Sequence, residues 1–156
     1  KCKSRFAAYQ SACSSAFGAD RSHVQGGGRV LRPIPQVLLT DRMVLKVCTG
    51  VDAWQKPSWQ EYEVRRVHLQ NTNEVRKSTT NTEVLLRSLL FIDTTFSVPR
   101  LDYDELAAQS LKAGKPMRCE VFNASGQKCG EYEVLTVDPV PYVPATRIHH
   151  TELGLV

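Results

Sequence analysis

The side chains able to do chemistry in this 156-residue chain are four histidines, five cysteines and a short acidic cluster. His149 and His150 are adjacent, and neighbouring side chains of an extended segment point to opposite sides, which is poor geometry for holding one metal ion between them. They read as surface residues. His68 lies between Val67 and Leu69 in an apolar run, the position that faces solvent when its neighbours face in. Asp102, Asp104 and Glu105 open a helical pattern, where carboxylates complement the positive end of the helix dipole. They lack the alternating spacing and distal Glu of a calcium loop. Neither G-x-S-x-G nor H-E-x-x-H is present. The three glycines at 26–28 are not followed by Lys-Ser/Thr, so they read as a flexible connection and not as a phosphate loop. These readings predict no catalytic residue, no metal site and no cofactor, and therefore a protein that works by contact.

Cys2, Cys13, Cys48, Cys119 and Cys129 show no C-x-x-C spacing suited to zinc or redox work, and they read as disulfide partners in an oxidising compartment. The odd count leaves one thiol free or bonded outside this chain. On a continuous helix Cys2 and Cys13 would lie about 16 Å apart, too far for a bond to each other. The sequon at Asn123 (Asn-Ala-Ser) sits in a predicted turn between Cys119 and Cys129 and adds a glycosylation site, which has meaning only in the secretory pathway. The expected location is extracellular or at the cell surface.

Residues 2–17 place Cys2, Phe6, Tyr9, Cys13 and Phe17 on one face of a short helix, so 1–17 is expected to be an N-terminal helical segment. Residues 18–36 carry the glycines together with Pro33 and Pro35 and read as a linker. From Val37 the signal turns to β, in runs at 37–39, 43–48, 62–69, 83–91, 117–122 and 132–137 separated by turn residues. One helical interruption is expected over 102–111, with Gly114 to end it. Residues 139–156 are expected to be a Pro-rich tail or the start of a following segment. In 117–137, Met117, Cys119 and Val121 alternate with Arg118 and Glu120, residues 123–126 turn, and 131–137 runs back as a second strand.

That hairpin resembles the last two strands of an immunoglobulin-like domain, a cysteine-bearing strand returning before a proline linker that Asp138-Pro139 supplies. Residues 101–114 are similar to the lead-in of immunoglobulin, PKD and egg-jelly-receptor modules. Cys48, Trp59 and Cys119 follow in an order and spacing that resemble the family's paired cysteines and core tryptophan. The resemblance covers 37–138 and implies an antiparallel β-sandwich with an inter-sheet bond from Cys48 to Cys119. The rival pairing is Cys119 with Cys129, nearly opposite each other if 123–126 forms the tip. Two positions depart from the pattern. Lys46 and Glu61 would share a face with Cys48 and Trp59, which calls for a bulge, and Met117 stands where a tyrosine corner would be. The Cys-x3-Phe-x2-Tyr-x3-Cys run at the N-terminus resembles helices of GDNF-receptor-alpha modules.

Twenty basic and sixteen acidic residues are interleaved along the chain, so no clustered footprint for nucleic acid exists. No apolar run reaches the roughly 18 residues of a membrane span. Opening at Lys1, the sequence reads as a mature chain or an excised piece. The expected partners are proteins or neighbouring domains, met through Trp54 and Trp59 unless one of them fills the core. The whole reads as a non-enzymatic adhesion or receptor-assembly module of a larger cell-surface or secreted glycoprotein. The alternative is an intracellular β-rich scaffold or assembly subunit with reduced cysteines.

Overall fold

The computed structural model describes residues 32–77, 83–142 and 147–156. The predicted N-terminal helix, with Cys2 and Cys13, lies outside the described residues. A single 3-10 turn at Gln36–Leu38 precedes β1 (Asp41–Val51), β2 (Pro57–Asn71), β3 (Val75–Lys77), β4 (Glu83–Leu85) and β5 (Ser88–Asp93). Helix α1 (Tyr103–Lys112) then leads to β6 (Arg118–Phe122), β7 (Lys128–Pro141) and β8 (Ile148–Leu155). The chain is mainly β and its strand pairings are antiparallel, as the alternation predicts.

Six of the strands, in the order β1-β2-β5-β8-β7-β6, form one closed barrel, because β1 pairs with β2 on one side and β6 on the other. The two facing sheets of the expected sandwich are not what these strands form. The strand that makes the difference is β8, in the stretch read as a tail: it bridges β5 and β7 and completes the ring. Strands β3 and β4 extend the β2–β5 connection as a two-stranded arm.

The barrel interior is filled from all six of its strands, among them Met43, Leu45 and Val47 of β1, Val64 and Val67 of β2, Leu90 and Ile92 of β5, Cys119 and Val121 of β6, Val134 of β7, and Leu153 and Leu155 of β8. Each such aliphatic side chain contributes about 1.5–3 kcal/mol by leaving water. Helix α1 starts where expected, with the Asp102 carboxylate accepting from the Glu105 N–H at 3.0 Å and Asp104 and Glu105 in its first turn. Its Tyr103, Leu106 and Ala107 pack on the barrel core, and the Ser110 hydroxyl accepts from the Cys48 N–H at 3.0 Å. Val47 and Cys48 are both buried, so alternation breaks there, beside a register shift between Cys48 and Gly50. Lys46 and Glu61 stay on the outside, where Lys46 Nζ meets Glu120 at 2.9 Å.

A second apolar cluster lies against the outer side of β5. Ile34, Leu38 and Leu39 pack with Leu86, Leu89, Phe91 and Phe96. Residues 32–36, expected to be linker, and 37–39, expected to be a β run but folded in the 3-10 turn and its exit, thus form a strap (32–39) that belongs to the barrel, with the Ile34 N–H donating to Asp93 Oδ2 at 2.9 Å.

Candidate functional site

Where β2, β5, β8 and β7 run side by side, register aligns His68, Phe91, Glu152 and Asp138 across the outer face. Arg76, carried over that face by the β3–β4 arm, reaches Glu152 at 2.8 Å, Asp138 at 3.0 Å and Glu74 at 3.3 Å. Burial works against a charged Glu152, but the hydrogen bonds from His150 and Arg76 and the guanidinium charge outweigh it, and the carboxyl is held below the usual carboxylate range. Its other oxygen lies 3.3 Å from His150 Nε2. His150 Nδ1 in turn is 2.7 Å from His149 Nδ1, and His149 Nε2 is 2.7 Å from the carbonyl oxygen of Arg32 on the strap. Tyr142 meets the His149 ring edge-on at 4.8 Å.

The two histidines expected to point apart therefore touch. The register shift between Val140 and Pro141 in β7 unsettles the strict alternation at this end of β8. His68 is on the outer face as expected but is only 16% exposed in its side chain, because the strap covers it. Its pKa is lowered by burial, which outweighs the nearby Asp41 charge and a hydrogen bond to the backbone of Leu38.

The cysteines do not meet as either expected pairing requires. Leu45, not Cys48, is the register partner of Cys119, so Cys48 lies about 10 Å further along β1, beyond disulfide reach. Cys119 faces Tyr132 on β7, which puts Cys129 off register by a similar distance. Cys48 and Cys119 are free thiols, fully buried. Burial, with a smaller effect of Glu131, pushes the Cys119 thiol up to about 12. Cys129 is half-buried with its sulfur 3.9 Å from the Gln127 carbonyl oxygen.

No family model, curated protein or solved structure matches the chain. Asn123 sits at the β6–β7 tip, its Oδ1 accepting from the Ser125 N–H and hydroxyl and from the Gln127 N–H, with 124–127 exposed. Trp54 is 89% exposed at the tip of the β1–β2 hairpin. The Asp52 carboxylate fixes that turn by accepting from the N–H groups of Trp54 (2.9 Å) and Lys56 (2.8 Å). Trp59 is half-buried on the outer face of β2, with the Arg118 guanidinium 5.7 Å above its ring, so it is not the core tryptophan of the resemblance.

Among the described residues no three His, Cys, Asp or Glu side chains converge as a metal site. The histidine–glutamate row is a set of proton donors and acceptors that join barrel, arm and strap. Sequence reading missed it because its members come from four separated stretches. The available signal was the alternation of Thr151, Leu153 and Leu155, which marks 148–155 as a strand and brings His150 and Glu152 to its other face.

Proposed function

We propose that this barrel is a non-enzymatic interaction module of a larger cell-surface or secreted glycoprotein, and that it meets a protein partner through the β1–β2 tip with Trp54 as the anchor. The observation that carries this reading is an indole 89% exposed on a turn whose backbone is already tied at Asp52. Aromatic anchors dominate interface energetics, and a pre-formed turn has little conformational freedom left to lose on binding. An exposed sequon tip at Asn123 fits the secretory location. The test is to titrate tetramers of the domain onto intact cells of the source organism. Saturable binding that weakens about tenfold or more in Trp54→Ala, a change of at least 1.4 kcal/mol, supports the reading. An absence of saturable binding, or binding indifferent to Trp54→Ala at equal folding, refutes it.

A second reading is favoured by the two buried thiols of Cys48 and Cys119: an intracellular scaffold or assembly subunit in which cysteines stay reduced. Mass spectrometry of the natural protein, alkylated in denaturant without reductant, separates the two. Fully alkylated cysteines and an unmodified Asn123 select the intracellular reading, and a glycan on Asn123 selects the first.

A further inference from the structure

Three hydrogen bonds run in series at the outer end of β8, from Glu152 Oε1 to His150 Nε2 (3.3 Å), from His150 Nδ1 to His149 Nδ1 (2.7 Å), and from His149 Nε2 to the Arg32 carbonyl oxygen (2.7 Å). Both ends of the series are acceptors. A carbonyl oxygen cannot donate, and a carboxylate that also takes Arg76 at 2.8 Å is ionised and cannot donate either. Every bond in the series needs a proton of its own, three in all. Two neutral imidazoles bring one N–H each. We propose that His149 and His150 share one extra proton, and that this shared proton clasps the Arg32 end of the strap to the barrel.

The surroundings suit a cation. Glu152 is the carboxylate in contact, and Asp93 on β5 is the register partner of His150. Phe91 lies 5.9 Å from His150, and His68 on β2 lies beyond it, 6.4 Å from Phe91. On β7, Tyr142 packs edge-on to His149, and Asp138 shares Arg76 with Glu152 and, from the arm, Glu74. Arg76 is thus held by three carboxylates, while Arg32 and Arg147 are exposed.

Taking the proton away leaves two N–H groups for three positions. The bond that yields is the one to Arg32, because it lies in solvent and water can replace it, whereas the side chains of His150 and Glu152 are 15% and 17% exposed. The clasp is therefore closed while the extra proton is held and opens when it is lost. Ile34 stays bound to Asp93 and its apolar contacts persist, so only the end of the strap that leads toward the N-terminal residues is freed.

Imidazole nitrogen shifts and the Arg32 carbonyl carbon shift, followed by NMR on the full chain between about pH 5 and pH 8, test this directly. The expected result is three bound protons on the four ring nitrogens at the acid end. The Arg32 carbonyl shift should then move together with the loss of the third ring proton, a movement lost in His149→Gln. Two singly protonated rings throughout, or an Arg32 shift that is flat with pH or titrates unchanged in His149→Gln, overturns the proposal. Should His149→Gln fail to fold, the proton count and the Arg32 shift of the unmodified chain decide the matter alone.

Discussion

Replacing Asp93 by Asn and by Ala should destabilise the barrel in graded steps, because one buried carboxylate satisfies two separate pieces of backbone. Asp93 is 1% exposed. Its Oδ1 accepts from the N–H groups of Thr95 (2.8 Å) and Phe96 (2.9 Å) in the turn after β5, and its Oδ2 accepts from Ile34 (2.9 Å) on the strap. Asn keeps one acceptor and places an NH2 group in the other position. With its oxygen on the turn, the amide faces Ile34 donor to donor, and one charge-assisted hydrogen bond worth about 1.5–3 kcal/mol is lost. Ala removes both acceptors. The turn N–H groups are only partly buried, so about 1 kcal/mol each is added, for about 4 kcal/mol in total. Against a typical stability of about 5–15 kcal/mol, both variants fold and both are measurable by urea denaturation at constant m-value. Amide exchange assigns the losses: Ile34 should lose protection in both variants, and Thr95 and Phe96 only in Asp93→Ala. A cost under about 0.5 kcal/mol for Asp93→Asn, or an Ile34 amide that stays protected in Asp93→Ala, would show that the carboxylate does not hold the strap.

Gly154→Ala should cost about 1–3 kcal/mol in the same assay, because an added Cβ would collide with the Thr136 hydroxyl and sit 2.8 Å from Leu86 Cδ1, with no free space on either side. A neutral outcome would mean that β8 is not clamped between β5 and β7 as described. Since burial lowers the pKa of His68 from its ordinary 6.5, the unfolded chain takes up that proton more readily than the folded one. Its effect is a stability fully present above about pH 6.5 that declines as pH falls below it, and His68→Asn should flatten this acid limb in pH-dependent urea melts. A limb of unchanged slope would contradict the burial argument. Cys119, with its thiol pushed up to about 12, should resist iodoacetamide at about pH 8 in the folded protein and react fully in denaturant, as peptide mapping can read. Rapid native labelling would place that sulfur outside the barrel.

What was legible in the sequence is what local chemistry dictates. The alternation of Met43, Leu45 and Val47, and of Cys119 and Val121, sets two strands, and Asp102 with Glu105 sets the start of α1. Closure was not legible, because it depends on which strands meet across long stretches of chain. In β8 only Thr151, Leu153 and Leu155 carry the inward pattern, and two histidines, a glutamate and upstream prolines made 139–156 look like a tail. The strap was missed for a related reason. Pro33 and Pro35 read as linker, although a short apolar set can still dock when a buried carboxylate waits for its N–H. The cysteine pairings failed on register, since an offset of three residues along a strand is invisible until the partner is known.

Closure also decides where function can reside. A barrel of about eight strands has an interior just wide enough for its own side chains, and this ring of six is narrower and filled from every strand. No ligand chamber can open at its axis without emptying the core. One end is further sealed by Tyr103, Leu106 and Ala107 of α1. Among the described residues the proposed contact would then use the outer surface, which departs from plain solvated β-strand at two kinds of place. One is the hairpin tips, where Trp54 and the Asn123 turn are held out by their own hydrogen bonds. The other is the face of β5 and β8, where strap, arm and barrel meet through Arg76, Glu152 and the histidine pair. A tip can change its side chains without disturbing the core, whereas the strap-covered face couples any change in charge to the hold on Arg32. The proposed recognition therefore falls to the tips, and the proposed control of the strap to that face.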